Sequence, residues 1–396
     1  MKNLEIYIHI PFCVQKCAYC DFLSFPSGRK TRAQYAEALC REILEADIGA
    51  FPSGGGAEKV SGVNEGAEHE RGINIVSVFF GGGTPSVPET EEMEKIMSAL
   101  RARFVIKDPE ISMEMNPGTV DRNKLEAYRD MGVNRISIGC QSMDDELLAR
   151  LGRIHRRKDF LECYSMAKDV GFNNINIDLM SALPGETFDM WKHDLISAAE
   201  LGPEHISAYS LIIEEGTPFF QMQKKGMLDL PDEEEERRMY RETGNILRPY
   251  GYHQYEISNY AKDGYECRHN LGYWTGTDYI GFGLGASSYI DGVRFRNTGS
   301  MRKYLKGSAR EDIEILTTQD MQSEYMILGL RLNRGVGGKE FERRFGVGMM
   351  SVFGDVIEKY MKAELLRKTE EPDDFRISLT DRGFSLSNVV MADMLL

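Results

Sequence analysis

The chain has 396 residues, of which 42% are hydrophobic, and this length is enough for one large domain with one or two smaller ones. No run of 18 apolar residues occurs, and the first twenty residues lack a charged start followed by an apolar block. We therefore expect a cytosolic protein without an integral membrane segment. The formal net charge of -14 disfavours nucleic acid as a partner and favours small ligands.

The first half of the chain alternates short β-branched runs with longer amphipathic runs, which is typical of parallel strands joined by helices. Helices are predicted over residues 34–46 and 121–131, among others. The pattern indicates an α/β protein with a partial (β/α)6 barrel. The six predicted strands are Leu4–Ile10, Ile73–Phe80, Glu110–Met115, Arg135–Gly139, Asn174–Met180 and His205–Leu211.

Three of the seven cysteines directly follow the first predicted strand, in the run Cys13-Val-Gln-Lys-Cys17-Ala-Tyr-Cys20. Thiolates bind iron–sulfur clusters, and a C-x3-C-x2-C loop can hold three corners of a [4Fe-4S] cubane while the fourth iron stays open. Structural zinc is the alternative, but it normally needs four ligands, and no suitable Cys or His pair follows nearby. The dispersed cysteines are expected to be buried, inert thiols: Cys40, Cys140, Cys163 and Cys267.

Between residues 49 and 72 the sequence is rich in Gly, Ser and Glu and lacks periodicity, which indicates a flexible surface insertion. The second strand that follows ends in Gly81-Gly82-Gly83-Thr84-Pro85. Such a segment is often only a turn, but its glycines would let main-chain atoms approach a ligand closely. Because parallel strands bring their carboxyl ends to one face of a barrel, we expect this turn to lie beside the cysteines.

A polar residue lies in or just after each of the next three strands. Glu114 is near the end of the third, Gln141 follows the fourth, and Asp178 interrupts the apolar fifth. A charge in such a strand is costly unless it is paired, and Arg153 is a candidate partner for both carboxylates. The charged residues therefore form either a ligand site or a structural ion-pair network.

Beyond residue 211 the alternation fades. A charged helix is predicted from Glu233 to about Tyr250, and a Gly- and Tyr-rich stretch continues to about Tyr289. The run Phe375–Thr380 is short enough for a small winged-helix-like module. The predicted domains are a barrel over 1–215, an α+β accessory region over 216–310 and the C-terminal module over 311–396.

The accessory region contains the run His269-Asn-Leu-Gly-Tyr-Trp274. An imidazole can ligate haem iron, and aromatic side chains can cover an apolar macrocycle. A thiolate is also a haem ligand, so Cys267 is an alternative axial residue. The plainer interpretation is a hydrogen-bonded His–Asn turn beside a buried Trp.

The cysteine motif and its setting, from Tyr7-Ile-His-Ile-Pro-Phe-Cys13 to Tyr19-Cys20-Asp21-Phe22, closely resemble the radical S-adenosylmethionine (SAM) superfamily. In that superfamily SAM chelates the open iron and is cleaved reductively. GGGTP and the later polar residues are similar to its coproporphyrinogen III oxidase-like branch. The resemblance implies that SAM is held by Tyr7, Gly82, Gly83, Thr84, Glu114, Gln141, Arg153 and Asp178.

The HNxxYW motif is similar to that of the heme chaperone HemW family, and the resemblance extends over nearly the whole chain. It implies a protein that binds a [4Fe-4S] cluster, SAM and haem, and delivers haem to apo-haemoproteins. It also implies a haem-binding role for His269 and a cluster that supports homodimer formation or regulates transfer. Whether SAM is cleaved is left open.

An oxygen-independent coproporphyrinogen III oxidase is the main alternative. Those oxidases extend the cluster motif to CxxxCxxCxC, whereas Asp21 and Phe22 follow Cys20 here, and the long N-terminal extension of the oxidases is missing. A structural cluster protein without SAM chemistry is the third hypothesis. Stoichiometric haem binding without turnover would favour the carrier.

Overall fold

A computed structural model of the protein describes residues 2–46, 73–307 and 310–396. The predicted insertion at 49–72 lies outside the described residues.

Six parallel strands form the centre of the molecule, and each pairs with the next one along the chain. Every boundary predicted for them lies within two residues of the observed one. The predicted α/β partial barrel is confirmed. The strands are β1 (Lys2–Ile10), β2 (Ile73–Gly82), β3 (Glu110–Met115), β4 (Arg135–Gln141), β5 (Ile175–Ser181) and β6 (His205–Ser210).

Helices follow these strands and are started by local side-chain caps. Asp121 accepts a hydrogen bond from the Lys124 amide, and Thr187 accepts one from the Met190 amide. Gly171 ends another helix in the left-handed conformation that glycine adopts without strain. The helices are α1 (Arg29–Glu45), α2 (Thr90–Arg103), α3 (Arg122–Asp130), α4 (Asp145–Arg150), α5 (Arg157–Val170), α6 (Phe188–Glu200) and α7 (Pro218–Lys224).

The two faces of the barrel strands differ in polarity. In β1, Leu4, Ile6 and Ile8 belong to the hydrophobic core shared with the surrounding helices. Because side chains alternate along a strand, the residues between them face the interior of the barrel. Strand pairing aligns a largely polar inner set, which comprises Glu5, Tyr7, His9, Ser77, Phe79, Glu110, Ser112, Glu114, Arg135, Ser137, Asn176, Asp178, His205, Ser207 and Tyr209.

The predicted accessory region contributes strands to the same sheet. β8 pairs antiparallel with β6, whereas β9 pairs parallel with β1, so new strands extend both ends of the barrel sheet. The predicted boundary at residue 215 therefore falls inside one continuous sheet. The added elements are α8 (Glu233–Leu247), a 3-10 turn (Arg248–Tyr250), β7 (His253–Glu256), β8 (Asn259–Ala261), α9 (Arg268–Thr275), β9 (Asp278–Phe282), β10 (Ser287–Ile290), β11 (Val293–Asn297), α10 (Met301–Tyr304) and β12 (Arg310–Ile315).

The last residues have a three-stranded sheet and a hydrophobic core of their own. That core includes Met326, Phe341, Phe353 and Ile377. No helix among the described residues is both long and apolar enough to cross a membrane. The elements are α11 (Thr318–Gly329), β13 (Val336–Gly337), α12 (Gly338–Phe345), α13 (Met349–Lys362), β14 (Leu366–Glu371), β15 (Asp374–Leu379), α14 (Asp381–Ser385) and α15 (Ser387–Ala392).

Candidate functional site

A cavity of about 420 Å³ opens at the carboxyl ends of the barrel strands. This size lies within the range of small-molecule sites. Ten of the residues predicted to bind the cluster or SAM line it, although they come from six different strands or loops. These are Cys13, Cys17, Cys20, Gly82, Gly83, Thr84, Glu114, Gln141, Arg153 and Asp178.

The three clustered cysteines are free, half-buried thiols on the loop after β1. Main-chain hydrogen bonds fix this loop, from the Cys13 amide to Phe25 O (3.2 Å) and from the Ala18 amide to Leu151 O (3.2 Å). Burial raises the pKa of the Cys20 thiol, and the neighbouring Cys17 and Cys13 add to that effect. The loop is therefore shaped and anchored by its own backbone.

The glycine turn after β2 lies directly against the cysteine loop. The Gly83 amide donates to Ile10 O, and the Thr84 amide donates to Phe12 O, both at 2.8 Å. A Cβ atom on Gly83 would stand 2.8 Å from Phe12 O, so glycine is what allows this close approach. The Thr84 hydroxyl also lies 3.6 Å from the Cys13 sulfur.

The donor set suits an iron–sulfur cluster. No three His, Cys, Asp or Glu side chains in the described ranges could hold one metal ion, so the thiols do not converge on a single point. A cubane instead needs three thiolates that each bind a different iron. The Arg153 guanidinium, 3.7 Å from the Cys17 sulfur, would help to compensate the charge of such a ligand set.

Two carboxyl groups form the deep wall of the cavity. Burial and the nearby Asp178 raise the pKa of Glu114 to about 8, although the Gly82 amide and Arg135 act in the opposite direction. Burial also raises the pKa of Asp178, while hydrogen bonds from Ser137 and Asn176 oppose this. The raised pKa favours the protonated form of Glu114 at neutral pH.

The pairing predicted for Arg153 needs correction. Its guanidinium donates to Asn116 Oδ1 (2.6 Å) and Gly139 O (2.8 Å) instead of bridging the two carboxylates. Arg153 follows α4 on a loop that approaches the cavity from the side, and strand alternation alone could not reveal this direction. It joins the third and fourth strands to the cysteine loop.

Gln141 reaches the cavity through an irregularity at the end of β4. The strand pairing shifts between Gly139 and Gln141, and Gln141 adopts a left-handed φ of 69°. His155 Nε2 donates to Cys140 O at 3.1 Å within this bulge. Bulges commonly re-aim side chains next to binding sites, and here the bulge aims Gln141 at Tyr209, whose hydroxyl donates to it.

Sequence analysis missed several residues of the cavity wall, among them Tyr19, Asn116, His155 and Tyr209. Asn116 donates to the Thr84 hydroxyl (2.8 Å) and accepts from Arg153, so it ties the glycine turn to the guanidinium. In the sequence, Asn116 could have been recognised by its position directly after Glu114 and Met115, at the end of a strand. Tyr209 was recoverable in the same way from the end of β6.

Two predicted residues lie away from the cavity lining. The Tyr7 hydroxyl bonds to His9 Nδ1 (3.1 Å), and His9 Nε2 donates to Leu23 O (3.0 Å). Tyr7 is thus connected through His9 to Leu23, just after the cysteine loop. The His269 side chain is buried on the barrel floor, where its ring stacks on Phe79 with centroids 4.9 Å apart.

Both ring nitrogens of His269 are engaged, Nδ1 with the Ser77 hydroxyl (2.8 Å) and Nε2 with the Tyr273 hydroxyl (3.1 Å). In this arrangement the imidazole does not fit an axial haem ligand, because neither nitrogen is open to iron. Cys267, the alternative, is also buried and donates to Glu110. The haem-ligand role of His269 stays a prediction that would require α9 to move.

The floor also contains an unusual buried carboxyl. Both oxygens of Glu5 are buried without a hydrogen bond of normal geometry among the described residues, although the Ser77 hydroxyl is adjacent and His269 Nδ1 lies 3.8 Å from one oxygen. Burial raises the pKa of Glu5 to about 9. Gly272 packs against it, and any Cβ there would overlap the carboxyl group.

Comparisons with known proteins agree with this geometry. Residues 7–196 match the family model of the radical SAM superfamily, and residues 316–386 match that of the HemN C-terminal domain. The heme chaperone HemW of Bacillus subtilis (strain 168) is 35% identical over 98% of both chains. The heme chaperone HemW of Escherichia coli (strain K12) is 36% identical over 86% of both chains.

The chain belongs to the HemW family. The predicted resemblance to this family and to the radical SAM superfamily is thereby confirmed. Among solved structures, coproporphyrinogen III oxidase (HemN) from Escherichia coli matches 100% of this chain and 90% of its own with a TM-score of 0.79. At 22% sequence identity, this likeness shows that the HemW family member and HemN share a fold.

Proposed function

We propose that this HemW family member is a heme chaperone that carries a [4Fe-4S] cluster and SAM in its barrel and passes haem to apo-haemoproteins. One observation carries the proposal for the cofactors: three free thiols, a glycine turn and four polar side chains converge on a single cavity at the barrel mouth. The similarity to curated heme chaperones over nearly the full length supports the haem-carrying role.

The chain's residues would divide the binding work by chemistry. Cys13, Cys17 and Cys20 would hold the cluster, which when bound supplies an open iron and an electron. Gly82 and Gly83 present main chain to the ligand. Glu114 can accept a cationic amine as it gives up its proton, because an adjacent positive charge lowers the pKa of a buried carboxyl.

Three further polar groups complete the proposed SAM site: Gln141, Arg153 and Asp178. The bulge in β4 holds Gln141 in the cavity, and the hydrogen bonds to Ser137 and Asn176 fix the Asp178 carboxylate. One terminal nitrogen of the Arg153 guanidinium donates to both Asn116 and Gly139, which holds the side chain in place. The haem recipients, a homodimer and the cytoplasmic location are further parts of this proposal.

Anaerobic reconstitution tests the function. The reconstituted chain should bind haem stoichiometrically, transfer it to an apo-haemoprotein, and leave coproporphyrinogen III unconverted when SAM and a reductant are supplied. Production of protoporphyrinogen IX would instead support the oxidase. The likeness to HemN shows only a fold, so this assay decides between two activities that one architecture can support.

A matched cysteine pair tests the cluster site. Cys17→Ser should lose most of its iron and sulfide, because one corner of the cluster loses its thiolate. Cys40→Ser, at a half-buried cysteine of α1, is the control and should keep full iron content. Equal iron content in the two variants would contradict the three-thiolate site.

A further inference from the structure

Four large apolar side chains surround the opening of the cavity and point into solvent. Val14 is 57% exposed, Phe22 68%, Ile154 52% and Ile212 69%, and all four line the cavity. Isolated exposed apolar residues are ordinary, but several around one opening indicate a binding surface. We call these four residues the apolar rim.

The rim is assembled from three separate parts of the chain. Val14 and Phe22 are on the cysteine loop, Ile154 follows Arg153, and Ile212 follows β6. Because these segments meet only through the fold, local sequence preference does not explain why each exposes an apolar side chain there. The convergence therefore requires an explanation at the level of the site.

The charged groups of the proposed cofactors are bound deeper in the cavity than the apolar rim. The polar groups that suit SAM, Glu114 and Asp178, form the deep wall of the cavity, whereas the apolar rim lies at its entrance. The charged amino-acid part of SAM gains little from apolar side chains, and its single adenine ring would cover only part of a rim built from three segments. The rim suits a second ligand, which would lie above the first and present a broad apolar face.

The charged residues at the entrance limit the chemical class of the second ligand. Lys16 lines the cavity, is exposed and donates to Phe22 O at 3.0 Å, which places its ammonium beside the rim. Asp21 and Glu214 are also at the entrance and would repel an anion on their side. A ligand with an apolar plane and carboxylates at one edge matches this asymmetry if the carboxylates lie toward Lys16.

We propose that haem docks across the barrel mouth, with its macrocycle on the apolar rim and a propionate beside Lys16. This inference rests on the proposed heme chaperone function and adds the position of the haem-binding site. The floor around His269 is closed, as both ring nitrogens are hydrogen-bonded and the side chain is buried. The mouth, by contrast, is open to a ligand that arrives from solvent.

A small planar ligand fits the rim better than a protein does. Four side chains around a concave opening are far fewer than the roughly 20–30 residues that each side of a stable protein interface contributes. The rim also encircles an entrance, whereas a dimer or recipient surface is broad and nearly flat. Haem docked there would lie over the three thiols of the cluster site.

Charge substitutions in the rim test the location. Phe22→Glu and Ile212→Glu should each weaken the binding of ferric haem to the full, reconstituted chain by at least about tenfold, because each removes apolar contact and adds repulsion. Ile313→Glu is the matched control, since Ile313 is 64% exposed on β12 and lies outside the cavity lining. It should bind haem within about twofold of wild type.

Two further measurements on the same variants separate the outcomes. Iron and sulfide content and the dissociation constant for SAM should match wild type, which shows that the cluster site is intact. Unchanged haem affinity in both rim variants would overturn the proposed location. Normal haem affinity with lost transfer would overturn it too and would make the rim a recipient surface. Wild-type protein that binds no haem would refute the chaperone function itself.

Discussion

Glu5 is a single residue whose chemistry affects the stability of the whole barrel. Its carboxyl is buried without a normal hydrogen bond, and burial raises its pKa from 4.5 to about 9, with the Glu110 charge adding to the effect. The folded protein therefore binds a proton here that the unfolded chain releases above about pH 4.5. The contribution of this bound proton to stability is fully present below about pH 4.5 and is lost as the pH rises through about 9.

We predict that Glu5→Gln flattens the dependence of stability on pH. In wild type the free energy of unfolding should fall between about pH 5 and pH 9 by a contribution on the order of a few kcal/mol. The neutral amide cannot ionise, so the variant should lose this contribution. Denaturant unfolding at pH 5, 7 and 9 measures the difference.

Glu37→Gln serves as the control for this prediction, because Glu37 is exposed on α1 and outside the barrel interior. Its pH profile should follow wild type. If Glu5→Gln and wild type lost stability in parallel up to pH 9, the carboxyl would be ionised and paired in the folded protein.

At the residue scale, the sequence revealed which side chains belong to the site but not how they are bonded. Cysteine spacing predicted the three thiols, and strand-end position together with the family resemblance predicted seven further residues of the cavity lining. Arg153 was given the wrong partners because a loop residue has no periodicity to fix its direction. His269 was assigned by its motif, and a motif does not show whether a nitrogen is already hydrogen-bonded.

At the scale of elements, the strongest sequence signal was the alternation of β-branched strands with helices. It predicted the barrel strands closely because each is apolar on its helix-facing side. It could not assign β9 to a place beside β1, since 267 residues separate Ile10 from Asp278 and short strands carry little pairing information. It also gave no sign of the bulge in β4.

The bulge leads to a prediction about His155. This residue donates to Cys140 O and so holds the strained turn that presents Gln141, while its own Nδ1 is buried without a partner. His155→Ala should weaken SAM binding about tenfold, since an unpaired buried carbonyl costs about 1–3 kcal/mol and the turn would relax. Equilibrium binding of SAM to the cluster-loaded chain measures this.

His155→Gln separates positioning from simple loss of packing. The amide nitrogen of Gln can occupy the place of Nε2, so this variant should recover most of the affinity that the alanine variant loses. Iron content should stay at the wild-type value in both, because the hydrogen-bond partner of His155 is Cys140 and not one of the three cluster cysteines. Alanine and glutamine variants that were equally impaired would show that ring packing, and not the donated hydrogen bond, is what matters.

At the scale of the whole molecule, the described residues contain two main hydrophobic cores, besides a small cluster that includes Leu151 and Leu183. The larger includes residues from Leu4 to Tyr304, and the smaller includes residues from Met326 to Met394. Polar contacts join them, among them the Ile257 amide to Arg331 O (3.1 Å), the Arg294–Glu324 ion pair (2.6 Å) and the Arg331 guanidinium over the Trp274 ring. Composition changes along the sequence indicated a separate module, but periodicity could not show that residues 216–310 complete the barrel sheet.

We predict that the two cores unfold in separate thermal transitions and that ligands stabilise only one of them. Trp191 is buried in the barrel core, whereas Trp274, the second tryptophan of the chain, lies under Arg331 at the junction. In a Trp274→Phe background tryptophan fluorescence therefore follows the barrel, while far-ultraviolet circular dichroism follows both parts. Because the cluster and SAM bind the folded barrel alone, loading should raise the fluorescence midpoint by roughly a few degrees and leave the other transition in place.

Cys17→Ser, which cannot hold the complete cluster, should show no such shift under the same loading conditions. Both probes could instead report a single transition that moves as a whole on loading. That result would contradict the prediction and would mean that the junction at Arg331 couples the C-terminal module to the barrel in one unfolding unit.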